Sequence, residues 1–326
     1  MKVFITGISG FLGSHIAESL HQQGHEIYAL LRKTSKRNHL SIPFHPVEGE
    51  LPHLKHLAPL LSQMDAVVHV AGKIKALSPE EFHETNALGT LNLAKACLQG
   101  SAKPKVFLYI STIAVIDPIK DGGNFCKSSE ECHPISWYGD SKLEGEKSLK
   151  ILKDQMRIVT LRPPVLYGPR DEEMLTLFKA VHKGFAPLFQ KGENELSVCY
   201  IKDVADCVIS LLENPPEQDE IYCLDDGDKY TWKSLAAQVA QSMNKKISYI
   251  PIPAFLFQTG AFFTELYAKI FSKPQIFTRN KIKEMKQKSW VCGSEKLQKT
   301  RNWTAKTKLP EGAKITYEFY QKNRWL

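Results

Sequence analysis

Tyr138 and Lys142 stand four residues apart in Trp137-Tyr138-Gly139-Asp140-Ser141-Lys142, a stretch that reads as helical through residue 150. At that spacing both side chains lie on one helical face, so a phenol and an ammonium can serve one site. A phenol with a reference pKa of about 10 is a weak base at neutral pH, and a neighbouring cation stabilises its phenolate. The pair could therefore carry proton transfer. An isolated Tyr-x-x-x-Lys also fits an ordinary helix with an exposed lysine, so the elements around it must decide.

Residues 2–6 form a β-branched and aromatic run that reads as a buried strand, and it enters Gly7-Ile8-Ser9-Gly10-Phe11-Leu12-Gly13, followed by helical periodicity. Glycines in a strand-to-helix turn let the backbone approach a pyrophosphate at the positive helix N-terminus. The next strand, residues 25–31, ends where an acid would read the adenosine ribose. No acid is present; Arg32-Lys33-Thr34-Ser35-Lys36-Arg37 comes next, four cations and two hydroxyls. That composition suits a 2′-phosphate through charge-assisted hydrogen bonds, which favours NADP(H) over NAD(H). A solvated basic loop is the plainer reading.

Residues 46–51 predict a third short strand and turn, and residues 64–72 a fourth that ends in the small residues Val70-Ala71-Gly72. His69, inside that apolar run, reads as a satisfied core histidine. A helix is expected over residues 80–99, where Asn86 and Asn92 are either functional or simply exposed. A fifth strand, residues 105–112, ends in Ser111 and Thr112. In an open parallel sheet ligands bind beyond the carboxyl ends of the strands, and hydroxyls there point into the site or serve the turn. With residues 157–162 as a sixth strand, the alternation of strands and helices predicts an α/β doubly wound parallel sheet with helices on both faces.

Composition narrows the setting. At 326 residues and 43% hydrophobic content the chain can bury a substantial core. Seven cysteines form no Cys-x-x-Cys pair and are expected to be reduced core thiols, which argues against a zinc site and points to the cytoplasm. No run of 18 uncharged apolar residues predicts a membrane span. Residues 269–326 carry 15 Lys or Arg against 4 Glu, while the whole chain carries +8, so the remainder is slightly acidic. No nucleic-acid recognition motif accompanies the basic end.

Taken in order, these parts resemble an extended short-chain dehydrogenase/reductase, of the NAD-dependent epimerase/dehydratase type, nearest to dihydroflavonol reductase and 3β-hydroxysteroid dehydrogenase-like members. The resemblance runs through the glycine turn, Val70-Ala71-Gly72, Asn86 with Gly89-Thr90, Ser111-Thr112, Tyr138 with Lys142, and Leu161-Arg162-Pro163-Pro164-Val165-Leu166-Tyr167-Gly168-Pro169. It implies a Rossmann domain over residues 1–165 and 200–226, and a smaller C-terminal α/β substrate lobe over residues 166–199 and 227–326. It also implies that Tyr138 is the general acid/base, that Lys142 lowers its pKa, and that Thr112 orients the substrate oxygen with Ser111 as a supporting neighbour. Cofactor contacts would come from Gly7, Gly10, Phe11, Leu12, Gly13, Arg32, Lys36, Glu50, Leu51, Val70, Ala71, Gly72, Asn86, Tyr138, Lys142, Pro164 and Val165, with no metal. Glu50 stands where the family usually has an aspartate near adenine. Ile113-Ala114 replace the Asp-Glu pair of the sugar dehydratases, which speaks against dehydration.

The expected activity is an NADP(H)-dependent oxidoreductase that interconverts a ketone or aldehyde and an alcohol on a small, fairly apolar, sterol-, flavonoid- or lipid-like substrate. An NAD-dependent nucleotide-sugar epimerase and a non-catalytic NADP-binding regulator are the alternatives. Relatives dimerise through helices equivalent to residues 80–99 and 138–152, so a homodimer is expected by resemblance. In the second half, residues 174–183 predict a helix, Gly184-Phe185-Ala186-Pro187 a loop, and residues 253–271 an aromatic-rich helix. The latter reads as an amphipathic lid packed on the core, with a peripheral membrane contact as the alternative.

Overall fold

In a computed structural model of the chain, residues 1–37, 39–118, 129–275 and 277–326 are described. Strand β1 (Lys2–Thr6) buries every residue from Val3 onward and feeds helix α1 (Phe11–Gln22). Then come β2 (Glu26–Leu31), β3 (His45–Glu48), β4 (Ala66–His69), α2 (Gly89–Leu98), β5 (Val106–Ile110), α3 (Trp137–Ser148), β6 (Arg157–Arg162) and, much later, β7 (Glu220–Cys223). They form a seven-stranded sheet in the order β7-β6-β5-β4-β1-β2-β3. Neighbours from β3 to β6 all pair in parallel. Thr6 pairs with both Leu30 and His69, and Ile110 with Leu161, so the carboxyl ends line up along one edge. The strand order reverses between β1 and β4, which opens a crevice at that edge.

The inner strands β1, β4 and β5 read as nearly continuous apolar runs because helices cover both faces of such a sheet, whereas the edge strand β3 is mostly exposed. Phe4, Val67 and Phe107 are fully buried and pack in one cluster with Leu93 of α2 and Leu149 and Leu152 just beyond α3. Truncating a buried phenylalanine of this kind costs about 3–5 kcal/mol.

The helix expected over residues 80–99 is interrupted. Pro79–Phe82 leads into a π-helical turn, His83–Leu88, before α2 begins. Such a turn carries one extra residue, and here it swings Asn86 inward to 1% exposure.

The chain divides into two compact units. One comprises Met1–Ile116, residues 129–162 and Ala205–Tyr222; the other contains Pro163–Val204 and Cys223–Leu326. Within the second, Val165–Tyr167 pairs in parallel with Val198–Tyr200. The expected loop at residues 184–187 is instead the start of a strand, Phe185–Phe189, paired in parallel with Ser248–Ile252. Gly184 turns the chain with φ +90°, and Ala186, Leu188 and Phe189 are buried. Helix α4 (Ala254–Phe271) forms as expected, but of its large apolar side chains only Phe257 packs inward, against Phe189; Ala261 and Ala268 are its buried residues.

Cys97, Cys199, Cys207, Cys223 and Cys292 are free thiols, whereas Cys132 is disulfide-bonded, against the expectation of an all-thiol chain. Cys132 sits in the irregular segment before α3, whereas Cys97, Cys199, Cys207 and Cys223 lie on strands or helices. Cys126 lies outside the described residues.

Candidate active site

The site forms at the carboxyl edge of the first unit's sheet. Gly7 adopts φ +78°, and a Cβ there would lie 2.7 Å from the Ala71 nitrogen; one on Gly13 would lie 2.1 Å from the Gly7 oxygen. The turn is therefore closed to any side chain, and the start of α1 is drawn down onto it. Gly10 precedes α1 in an extended conformation, no side chain caps the helix, and no acid stands in its first turn. Its leading N–H groups are left for an anion. Phe11 is partly exposed beside this turn, while Leu12 is buried.

A hydrogen-bond chain fixes the end of β4. The Ala71 N–H donates to Thr6 Oγ1 at 3.1 Å, Thr6 Oγ1 lies 2.7 Å from His69 Nδ1, and His69 Nε2 lies 2.9 Å from Thr90 Oγ1. Thr90 in turn donates to the Asn86 carbonyl at 2.6 Å. Because Thr90 spends its proton on that carbonyl, it must accept from His69 Nε2, which leaves Nδ1 to accept from Thr6. Burial pushes the His69 pKa down to about 3, with the Lys142 charge adding to it, so the ring is neutral. This is the core histidine the sequence implied.

Asn86 ties this edge to α3. Its Oδ1 accepts from the Lys73 N–H at 2.7 Å, and its Nδ2 donates to the Lys73 carbonyl and to Ser141 Oγ, both at 2.9 Å. With those bonds made and its side chain buried, Asn86 holds the Gly72 turn against α3.

Helix α3 starts at Ser136, whose hydroxyl accepts from the Gly139 N–H. A Cβ on Gly139 would lie 2.3 Å from the Ala114 carbonyl, so only glycine lets this turn approach the Thr112 loop. Tyr138 is partly exposed and tilts against Phe82. Lys142, one turn on, is 4% exposed. Its Nζ donates to the Ile110 carbonyl at 2.6 Å and lies 4.2 Å from the Tyr109 ring centre, which leaves two N–H donors for a neighbour. Burial brings its pKa down to about 7, opposed by Glu146. Thr112 is partly exposed and accepts from the Ala114 N–H, so its own proton remains to donate.

Glu146, Arg162 and Ser129 were not singled out from sequence. Arg162 is completely buried and donates through Nε and Nη2 to the two Glu146 oxygens at 3.0 and 2.6 Å. Ser111 and Ser129 donate to the same carboxylate. Ser111 thus faces the interior and Thr112 faces outward. The available signal was an arginine ending an apolar strand and an acid one helical turn after Lys142.

The remaining residues are spread. Arg32 and Lys36 are exposed in the turn after β2, Glu50 is exposed, Leu51 is buried in the core cluster, and Val70, Ala71 and Gly72 line the end of β4. Pro164 is buried and Val165 half-buried in the second unit, where Val165 begins a strand.

A glycine turn at the switch point, with a tyrosine and a buried lysine one turn apart, defines a nicotinamide-dinucleotide enzyme of the short-chain dehydrogenase/reductase kind. The chain belongs to the NAD dependent epimerase/dehydratase family, whose pattern matches residues 3–224. It is 26% identical to a ceramide reductase of Caulobacter vibrioides over 99% of this chain and 96% of that protein. It is likewise 26% identical to a UDP-glucose 4-epimerase of Vibrio cholerae, over 85% of this chain and 84% of that one. The crystal structure of a Thermotoga maritima UDP-glucose 4-epimerase shares the fold, with a TM-score of 0.77 at 20% identity, covering 99% of this chain and 100% of that one.

The residues present fit such a dinucleotide. The turn at Gly7 and Gly13 is packed so tightly that it admits only glycine, the α1 N-terminus is uncapped, and the β4 turn is built of small residues.

Proposed function

We propose that the protein is an NADP(H)-dependent oxidoreductase that interconverts a ketone or aldehyde and an alcohol on a small, fairly apolar molecule. The observation that carries this reading is Lys142, buried one helical turn from the partly exposed Tyr138, with Thr112 retaining a proton to donate. In this reading Gly7, Gly10 and Gly13 admit the pyrophosphate to the α1 N-terminus, and Lys142 holds the nicotinamide ribose with its unused N–H groups. When bound, the cofactor supplies or accepts the hydride. Thr112 orients the substrate oxygen, and Tyr138 Oη delivers a proton to it in reduction or withdraws one in oxidation. The Lys142 charge favours the phenolate that remains.

Arg32 and Lys36 support the phosphorylated cofactor, because both are exposed cations and neither has a carboxylate partner among the described residues. The 26% identity to a ceramide reductase along nearly both full lengths supports an apolar substrate. In Tyr138→Phe, NADPH binding should persist while carbonyl-dependent NADPH oxidation falls by about three orders of magnitude. Near-wild-type turnover in that variant would sink the assignment.

The equal identity to the Vibrio epimerase favours one other reading, a redox-neutral sugar epimerase. Tightly retained NAD(H), with a UDP-sugar converted and no net change in nicotinamide absorbance, would mark it.

A further inference from the structure

Helix α4 is built inside out for a helix resting on a protein core. It touches its unit through Phe257, Ala261 and Ala268, while Phe255, Phe263, Ile270 and Phe271 are 57–66% exposed, with Phe262 and Leu266 close behind. At 100° per residue the exposed apolar positions cover roughly half the circumference, with Thr259 the polar residue among them. Tyr249 and Ile250, on the strand leading into the helix, extend the same kind of surface. Residues 249–271 supply ten of the sixteen large apolar side chains exposed among the described residues, so exposure is concentrated here and not scattered.

The end of α4 and the segment beyond it are cationic. Lys269, Lys273, Lys283, Lys286 and Lys288 are all exposed and have no carboxylate partner among the described residues. The two acids of the region are already neutralised, Glu265 by Arg279 and Glu284 by Lys281. Arg279 also lies 5.9 Å from the Phe262 ring centre, at the border of the apolar face. The surface is therefore apolar and aromatic with a one-sign basic margin. No helix among the described residues is long and apolar enough to cross a membrane.

We propose that α4 is an interfacial anchor that seats the protein on an anionic phospholipid surface, its aromatic face at the headgroup–acyl boundary and its lysines against lipid phosphates. A second copy of the chain fits less well, because two-fold pairing through α4 would bring the same unpaired lysines toward one another. The inference is independent of the substrate reduced.

Co-sedimentation of the full chain with phosphatidylcholine vesicles, with and without phosphatidylglycerol, tests it. Binding is expected on the anionic vesicles, at least about tenfold tighter than on neutral ones and weakening with salt. Phe263→Asp with Ile270→Asp should abolish it while leaving circular dichroism and NADPH affinity unchanged, because both side chains are exposed. Lys283→Glu with Lys286→Glu should remove most of the preference for anionic lipid. No binding of the wild type to anionic vesicles at low salt overturns the proposal, as does undiminished binding by the aspartate variant. A wild-type dimer that the aspartate variant splits, without vesicle binding by either, would assign the face to a second copy instead.

Discussion

At the scale of residues, burial of Lys142 costs stability, and the proposed function gives that charge its use. Its folded pKa of about 7 lies below the ordinary 10.5, so between those values the unfolded chain holds a proton that the folded chain has shed. Stability contributed at this position therefore rises with pH across that window, and below pH 7 the protein carries the full cost of the buried charge. Lys142→Met should stabilise the protein at neutral pH by about 1–2 kcal/mol, flatten that pH dependence, and lower kcat/KM by at least about 100-fold. Urea unfolding at both ends of the window, with steady-state turnover, checks all three. The spacing of Tyr138 and Lys142 was legible from sequence because helical periodicity is local. The Glu146 and Arg162 pair was not, since the two residues lie on different elements and only folding brings a charged strand end against an acid of α3.

At the scale of elements, the sequence conveyed the inner strands of the large sheet well, because β1, β2, β4, β5 and β6 are short, mostly apolar runs bounded by turn residues. Two features escaped it. The π-helical turn at His83–Leu88 keeps an almost helical pattern, so one additional residue leaves little trace. The strand Phe185–Phe189 finds its partner some sixty positions later at Ser248–Ile252, and pairing at that distance has no local signature. The strand, glycine turn and helix at residues 2–22, by contrast, lie where the sequence places them, because the tight contacts there admit only glycine. In Gly13→Ala the new methyl would have to displace the Gly7 carbonyl, which lies 2.1 Å from its ideal position. The expected result is a dissociation constant for NADPH raised at least about tenfold, about 1.4 kcal/mol, measurable by fluorescence titration.

At the scale of the whole molecule, a ligand that binds only the folded state stabilises it by RT ln(1 + L/Kd), where L is the free ligand concentration. NADPH at about 100 times its dissociation constant should add about 2.7 kcal/mol to unfolding. NADH at the same concentration should add less if the exposed Arg32 and Lys36 read a 2′-phosphate, and Arg32→Ala with Lys36→Ala should bring the two cofactors together. Thermal denaturation with each nucleotide reads this directly, and greater stabilisation by NADH would favour the epimerase reading. The long aromatic helix shows how far composition alone carries. Its periodicity was evident, yet which side faces inward depended on whether bulky or small residues fitted the surface beneath, and the alanines did.

The bonds around His69 have one more implication. The chain from Ala71 to Asn86 begins at an amide that can only donate and ends at a carbonyl that can only accept. A Grotthuss relay needs every link to reverse, and neither terminus can. This chain therefore carries no net proton flow, and under the proposed function a proton delivered by Tyr138 would be replenished by another route.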